Sequence, residues 1–278
     1  MAWLFSRSDN AEFVLRFDDL DHGSVRPEHY QSQIDDLRAI GLDWDGPIVC
    51  QSERQSFYQP ALAELAADDL LYPCFCTRRE VAEAAAAPNN ALAGHSYPGT
   101  CANLDTAGRA LRAEQLDRPP SLRIRSGDVS YGFNDVIAGP VEYQIDDFII
   151  QRFDDTPAYH LVTVIDDADA GVELVVRADD LLDSTARQLL LIDLLGLASP
   201  GYAHVPLVLG PDGRRLAKRH GGIHLDDWDG GNQDPKALVG FLAQSLGIRP
   251  DVRPATPAEL VPYFNAEAIT KQPLTLAP

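Results

Sequence analysis

Leu207-Val208-Leu209-Gly210-Pro211-Asp212-Gly213-Arg214-Arg215-Leu216-Ala217-Lys218-Arg219-His220-Gly221 passes from an apolar run through a tight turn into a basic loop. Residues 205–209 predict a buried strand, and Gly210-Pro211-Asp212-Gly213 has the composition of a turn. Beyond it, Arg215-Leu216-Ala217-Lys218-Arg219 sets a lysine on a loop, which suits a polyphosphate that gains charge as it leaves. Basic loops are commonly only solvated surface, so the meaning of this one depends on what precedes it.

Towards the N-terminus, residues 184–195 repeat apolar side chains at helical spacing and stop at Gly196. The stretches 172–177, 158–165, 147–152 and 121–125 predict strands, with Asp154-Asp155-Thr156-Pro157 as a turn. Glu12-Phe13-Val14-Leu15-Arg16-Phe17 predicts another, ending in the acidic turn Asp18-Asp19-Leu20-Asp21. Pro27 is placed to open a helix whose stripe of Tyr30, Ile34, Leu37 and Ile40 ends at Gly41. A second helix follows Ser52, with Phe57, Ala61 and Leu65 on one face; Pro60 within it predicts a late start or a kink. Beyond Gly230-Gly231, residues 235–246 and 257–264 predict a helical tail. Strands alternating with helices specify an α/β fold with a largely parallel sheet. There is no internal repeat.

The chain has 278 residues, enough for one large domain or two modest ones. It contains no apolar run long enough to span a bilayer. Met1-Ala2-Trp3-Leu4-Phe5 is too short for the apolar region of a signal peptide, so a cytoplasmic protein is expected. The formal charge of −19 argues against a general nucleic-acid binder. Basic residues are nevertheless grouped, as Arg78-Arg79, as Arg123 with Arg125, and as Arg214-Arg215 with Lys218-Arg219, which leaves room for a local basic track.

Between Tyr72 and Pro120 the periodicity weakens into turn residues, an alanine-rich stretch at 81–87 and a cysteine cluster, and reads as an insertion into the larger domain. Cys50 stands alone, while Cys74-Phe75-Cys76 is followed by His95, Tyr97 and Cys101. Two thiolates one residue apart, with a third returning from a loop, suit a tetrahedral zinc site. On metal chemistry alone His95 is the natural fourth ligand; three buried thiols without metal is the plainer alternative.

The 207–221 stretch resembles the KMSKS-type loop of the class I glutamyl-tRNA synthetase superfamily, which clamps ATP during adenylate formation. The resemblance implies Lys218 as the ATP-contacting, catalytic lysine within the motif loop Arg215, Leu216, Ala217, Lys218, Arg219; Ala217 stands where many members have Ser. Tyr159-His160-Leu161-Val162-Thr163-Val164-Ile165-Asp166-Asp167, followed by Val175-Val176-Arg177-Ala178-Asp179-Asp180-Leu181, is similar to the segment ending in the arginine that binds the glutamate side chain. It implies Tyr159 and Arg177 as glutamate contacts, and an arginine fork suits a carboxylate because it makes two parallel hydrogen bonds. Ala178 replaces the usual Gly. Leu15-Arg16-Phe17-Asp18-Asp19-Leu20-Asp21 resembles the strand whose acidic residue meets the amino group of glutamate; Asp18 is one methylene shorter than the usual Glu. Tyr97-Pro98-Gly99-Thr100-Cys101 matches the short glutamyl-Q tRNA(Asp) synthetase branch, which implies a structural zinc held by Cys74, Cys76, Tyr97 and Cys101, with His95 as the challenger.

The resemblance implies a Rossmann-like catalytic domain in two parts, 1–72 and 121–225, with a zinc-containing insertion at 73–120 and a short helical tail at 226–278. It starts late: residues 1–8 match the second half of the family's first helix, and the strand and turn carrying the HIGH motif are expected upstream. A sheet without that strand exposes an unpaired edge and an apolar helix face. The implied activity is ATP-dependent, tRNA-independent activation of glutamate to glutamyl-adenylate, with transfer to the queuosine base at the wobble position of tRNA(Asp). The implied partners are glutamate, ATP with Mg2+, and queuosine-bearing tRNA(Asp), met by a monomer through salt-sensitive contacts of the arginine groups. The alternatives are a non-catalytic remnant and a truncated conventional glutamyl-tRNA synthetase.

Overall fold

The computed structural model describes the chain except at residues 22, 24, 86–96, 128, 217–233 and 277–278. Helix α1 (Ala2–Ser8) leads to β1 (Arg16–Phe17), shorter than the strand expected at 12–17. Helix α2 (Pro27–Ala39) opens on Pro27, where a missing N–H costs nothing, and Gly41 follows its end at φ 84°. It connects β1 to β2 (Val49–Cys50), which pairs parallel with β1. A 3-10 turn over Gln51–Glu53 delays α3 (Gln55–Ala67), so the helix starts late and carries Pro60 inside.

Next come β3 (Leu71–Cys74), α4 (Arg78–Ala85), α5 (Thr106–Glu114) and β4 (Ser121–Ile124). The hairpin strands β5 (Ser130–Asp135) and β6 (Gly139–Gln144), which no sequence signal marked, precede β7 (Ile149–Gln151). Then follow α6 (Tyr159–Asp169), β8 (Leu174–Ala178), α7 (Leu182–Leu194), β9 (Gly201–Val205) and β10 (Val208–Leu209). Helices α8 (Pro235–Ser245) and α9 (Pro257–Leu260) and strand β11 (Leu274–Thr275) complete the described chain.

The 158–165 stretch, expected to be a strand, is the start of α6. Its consecutive Leu161, Val162, Thr163 and Val164 are all buried, and such a run does not distinguish a strand from a buried helix by periodicity. The sheets are also more mixed than expected. Strand pairs β1–β2, β5–β9, β8–β9 and β10–β11 are parallel, whereas β3–β4–β7 and β5–β6 are antiparallel.

One apolar core gathers α3, β4, β7, α6, α7 and β9 through Leu65, Ile124, Ile150, Leu161, Leu191 and Tyr202. A second joins Trp3, Leu4 and Phe5 of α1 to Val239 and Ala243 of α8 and to Leu260 and Ile269. The apolar face of α1, expected to be exposed, is thus covered, although a cavity of about 270 Å³ remains beside it, lined by Trp3, Leu4, Ile40, Val205, Val239 and Leu260 among others.

Candidate active site and metal centre

Strand β8 carries Arg177 opposite His204 of β9, because parallel pairing sets the two in register. Tyr159 is the first residue of α6 and is 40% exposed. These elements bring the two expected glutamate contacts together, with Arg177 Nη1 donating to the Tyr159 hydroxyl at 3.4 Å. The rest of the guanidinium is engaged within the protein. Nε donates to His204 Nε2 at 3.1 Å, and Nη2 donates to Thr185 Oγ1 at 2.7 Å and to the Leu181 carbonyl at 3.4 Å. A parallel two-toothed fork towards a ligand, expected from arginine chemistry, is therefore not what Arg177 presents: Nη1 is the nitrogen with capacity to spare beside Tyr159.

Behind His204 lies Asp135, at the end of β5. Both side chains are fully buried, and Nδ1 meets Asp135 Oδ2 at 2.6 Å. Asp135 also accepts from the backbone N–H groups of Ile137, Ala138 and His204. Burial opposes its charge, but these bonds hold its carboxyl below the usual range. A carboxylate only accepts, so Nδ1 carries the proton and Nε2 is left to accept from Arg177. Burial pushes His204 below the ordinary histidine range, in keeping with a neutral ring.

Asp18 follows β1 and accepts from Arg16 Nε at 2.8 Å. Arg16 Nη1 also donates to Asp167 of α6 at 2.7 Å, which ties the end of β1 to the helix that carries Tyr159. Asp166, buried beside it, accepts from Gln51, Arg54 and Tyr58. The neighbouring Asp19 is buried and accepts from the Tyr30 hydroxyl and from the N–H and hydroxyl of Ser52. Asp18 is thus left half exposed, unlike its buried neighbour Asp19.

The tight turn after β10 forms as its composition predicts. Gly213 sits at φ 70°, its N–H donates to the Gly210 carbonyl, and Leu216 N–H returns to Val208. Arg215 Nη1 donates to Asp180 Oδ2 at 2.5 Å, so the start of the basic loop lies against the segment just after Arg177. Ala217, Lys218, Arg219 and His95 lie outside the described residues.

The metal-ligating candidates converge. Sγ atoms of Cys74, Cys76 and Cys101 all lie within 4.8 Å of one another. Cys76 and Cys101 are 3.6 Å apart, and Tyr97 Oη stands 3.6 Å from Cys74 and 3.9 Å from Cys76. For a tetrahedral ion bonded at about 2.3 Å to sulfur and about 2.1 Å to oxygen, the edges are about 3.8 Å and about 3.6 Å. The donor set fits such an ion with Tyr97 at the fourth corner. Hydrogen bonds from Cys101 and Cys76, then the Arg123 guanidinium, hold the Cys74 thiol well below its usual range. Arg123 Nε lies 3.2 Å from Cys74 Sγ, and its guanidinium carbon stands 3.7 Å from the Tyr97 ring centre. Arg123 is buried, so it is no part of an exposed basic track. Asp146 accepts from Tyr97 N–H and from Arg187 of α7, which ties the cluster to the body of the protein.

A family model described as tRNA synthetases class I (E and Q), catalytic domain, matches residues 1–271. The chain belongs to the class I (E and Q) tRNA synthetases. This synthetase chain is similar to a glutamyl-Q tRNA(Asp) synthetase of Nocardia farcinica, 47% identical over 276 residues that cover 99% of this chain and 86% of the relative. A protein of the same name from Symbiobacterium thermophilum is 42% identical over 289 residues, covering 99% and 89%. A solved glutamate-tRNA synthetase from Elizabethkingia anophelis superimposes with a TM-score of 0.78 at 22% identity, covering 99% of this chain and 63% of that one. This chain spans less than two thirds of the solved synthetase, and the likeness concerns the fold: a Rossmann-like class I catalytic fold with a cysteine cluster and a short helical C-terminal region.

Sequence reasoning missed Asp135, His204 and Thr185, the residues that engage Arg177 from behind. His204 and Asp135 are 69 positions apart, and no local pattern marks their pairing. The cue available was a histidine inside an otherwise apolar strand, 201–205, where an unpaired ring nitrogen is costly.

Proposed function

We propose that this synthetase chain activates glutamate with ATP, without tRNA, and transfers it to the queuosine base at the wobble position of tRNA(Asp). The observation that carries this reading is the 47% identity to a glutamyl-Q tRNA(Asp) synthetase over nearly the whole chain; the contact between Tyr159 and Arg177 supports it. A carboxylate oxygen of glutamate attacks the α-phosphorus of ATP, and pyrophosphate leaves. A hydroxyl of the queuosine cyclopentene ring then attacks the activated carbonyl, and AMP leaves. No protein nucleophile is required, because positioning and charge stabilisation supply the catalysis.

In this reading Arg177 Nη1 and the Tyr159 hydroxyl bind the side-chain carboxylate of glutamate, and Asp18 meets its amino group. Lys218, in the loop 215–219, stabilises the charge on departing pyrophosphate, with Mg2+ accompanying ATP. Cys74, Cys76, Tyr97 and Cys101 hold one structural zinc ion within an insertion at 73–120, between catalytic parts at 1–72 and 121–225 and ahead of a tail at 226–278. Among the described residues no helix is long and apolar enough to cross a membrane; the reading takes the chain as a cytoplasmic monomer.

Transfer of labelled glutamate tests the reading. Label is expected on tRNA(Asp) that contains queuosine and not on the same tRNA lacking it. Label at the 3′ end, independent of queuosine, would contradict the proposal and favour a conventional glutamyl-tRNA synthetase.

A further inference from the structure

The chain Asp135–His204–Arg177 runs across three adjacent strands. Asp135 ends β5, His204 lies on the central β9, and Arg177 sits on β8 in register with His204. The Arg177 guanidinium is a flat group with five N–H donors, and on a flexible stem it could aim any edge at a ligand. Here Nε is held by a neutral imidazole and Nη2 by Thr185, both buried. The imidazole cannot turn, because Asp135 grips Nδ1 at 2.6 Å and is itself fixed by three backbone N–H groups. Each step of the chain has one donor and one acceptor, so it admits a single ring tautomer and a single guanidinium orientation. Asp135 also supplies a buried negative charge near Arg177 without touching it. A direct carboxylate–guanidinium pair would occupy the same donors and cancel the charge that a substrate carboxylate needs.

We propose that Asp135, His204 and Thr185 are positioning residues for substrate recognition, which hold Nε and Nη2 of Arg177 so that Nη1, beside the Tyr159 hydroxyl, receives the amino-acid carboxylate. This rests on the assignment of Arg177 to glutamate above. It makes glutamate affinity depend on residues that never meet glutamate, and leaves the ATP side of the reaction indifferent to them.

The test uses steady-state ATP–pyrophosphate exchange and glutamate binding by calorimetry on the full-length protein, with folding checked by circular dichroism and melting. Thr185→Val and His204→Gln are each expected to raise the glutamate KM and Kd at least tenfold while kcat and the ATP KM stay within twofold. Thr185→Ser, which restores the hydroxyl, is expected to stay within twofold of the native protein. Added to Arg177→Gln, either substitution is expected to cause no further loss. If His204→Gln does not fold, the Thr185 pair carries the test alone. Should Arg177→Gln weaken glutamate binding while Thr185→Val leaves it unchanged, the positioning role is wrong and the assignment of Arg177 stands. Should Arg177→Gln itself leave glutamate binding unchanged, that assignment falls and the positioning role with it. Equal losses for ATP and glutamate would mark general loosening and overturn the proposal.

Discussion

At the scale of single residues, Arg177 spends most of its donors on the protein and keeps Nη1 for the site, next to the Tyr159 hydroxyl. In the proposed reading, recognition of the glutamate carboxylate takes two side chains, one charged and one neutral, in place of a single fork. Tyr159→Phe removes the neutral partner and keeps the ring. A hydrogen bond to a charged group contributes roughly 1.5–3 kcal/mol, so the glutamate KM in pyrophosphate exchange is expected to rise about 10- to 100-fold, with the ATP KM unchanged. His160, next along α6, is in a different position: its Nδ1 has no hydrogen-bond partner among the described residues. Burial, helped by Arg187 and Arg177, pushes its pKa down to about 4. The folded-state value lies below the unfolded one near 6.5, so the unfolded chain binds the extra proton first. Stability is complete above pH 6.5 and falls as the pH drops towards about 4, with a slope of up to ~1.4 kcal/mol per pH unit for one such group. Melting curves of His160→Gln across this window are expected to show a shallower loss than the native protein; identical slopes would remove His160 from the account.

At the scale of elements, the stops at Gly41 and Gly196 were legible because both adopt positive φ, where glycine alone is free of strain. The helix α6 was misread because its β-branched, uninterrupted apolar run has strand composition, while its eleven-residue length belongs to a helix. The hairpin β5–β6 was missed because half of it is exposed and polar, with Gly132 inside. Gly240 in α8 illustrates a constraint that only packing creates: an added Cβ would collide with the carbonyl oxygen of Arg253, a backbone atom that cannot swing aside. Gly240→Ala gains about 1 kcal/mol of helix propensity, but overpacking costs typically ~1–3 kcal/mol. A lower melting midpoint is expected, and a higher one would show that α8 shifts freely. For the cysteine cluster, chelation is expected to release about one zinc ion per chain by elemental analysis and to lower the melting midpoint, since metal binding is coupled to folding. Cys101→Ala is expected to abolish the bound zinc, and Cys50→Ala, outside the cluster, to leave it in place. Full zinc content in Cys101→Ala would contradict the ligand set.

At the scale of the whole molecule, residues 1–8 and 235–269 share one core, while α3, α6 and α7 contribute to the other. The fold class followed from alternating elements, and the contact of Tyr159 with Arg177 joins two ordered motifs 18 residues apart that neither residue would indicate alone. The supporting layer of Asp135, His204 and Thr185 stayed invisible because strand register, not local sequence, brings it together. The arginine groups divide as well: Arg123 is buried against Cys74, whereas the Arg79 side chain is 85% exposed and pairs with Glu83 on the surface. The proposed reading is of a chain that activates glutamate before it meets any tRNA. Glutamate-dependent ATP–pyrophosphate exchange, with no tRNA present, tests that directly. Exchange with glutamate, and none with glutamine or aspartate, is the expected result. Absence of glutamate-dependent exchange would contradict the account.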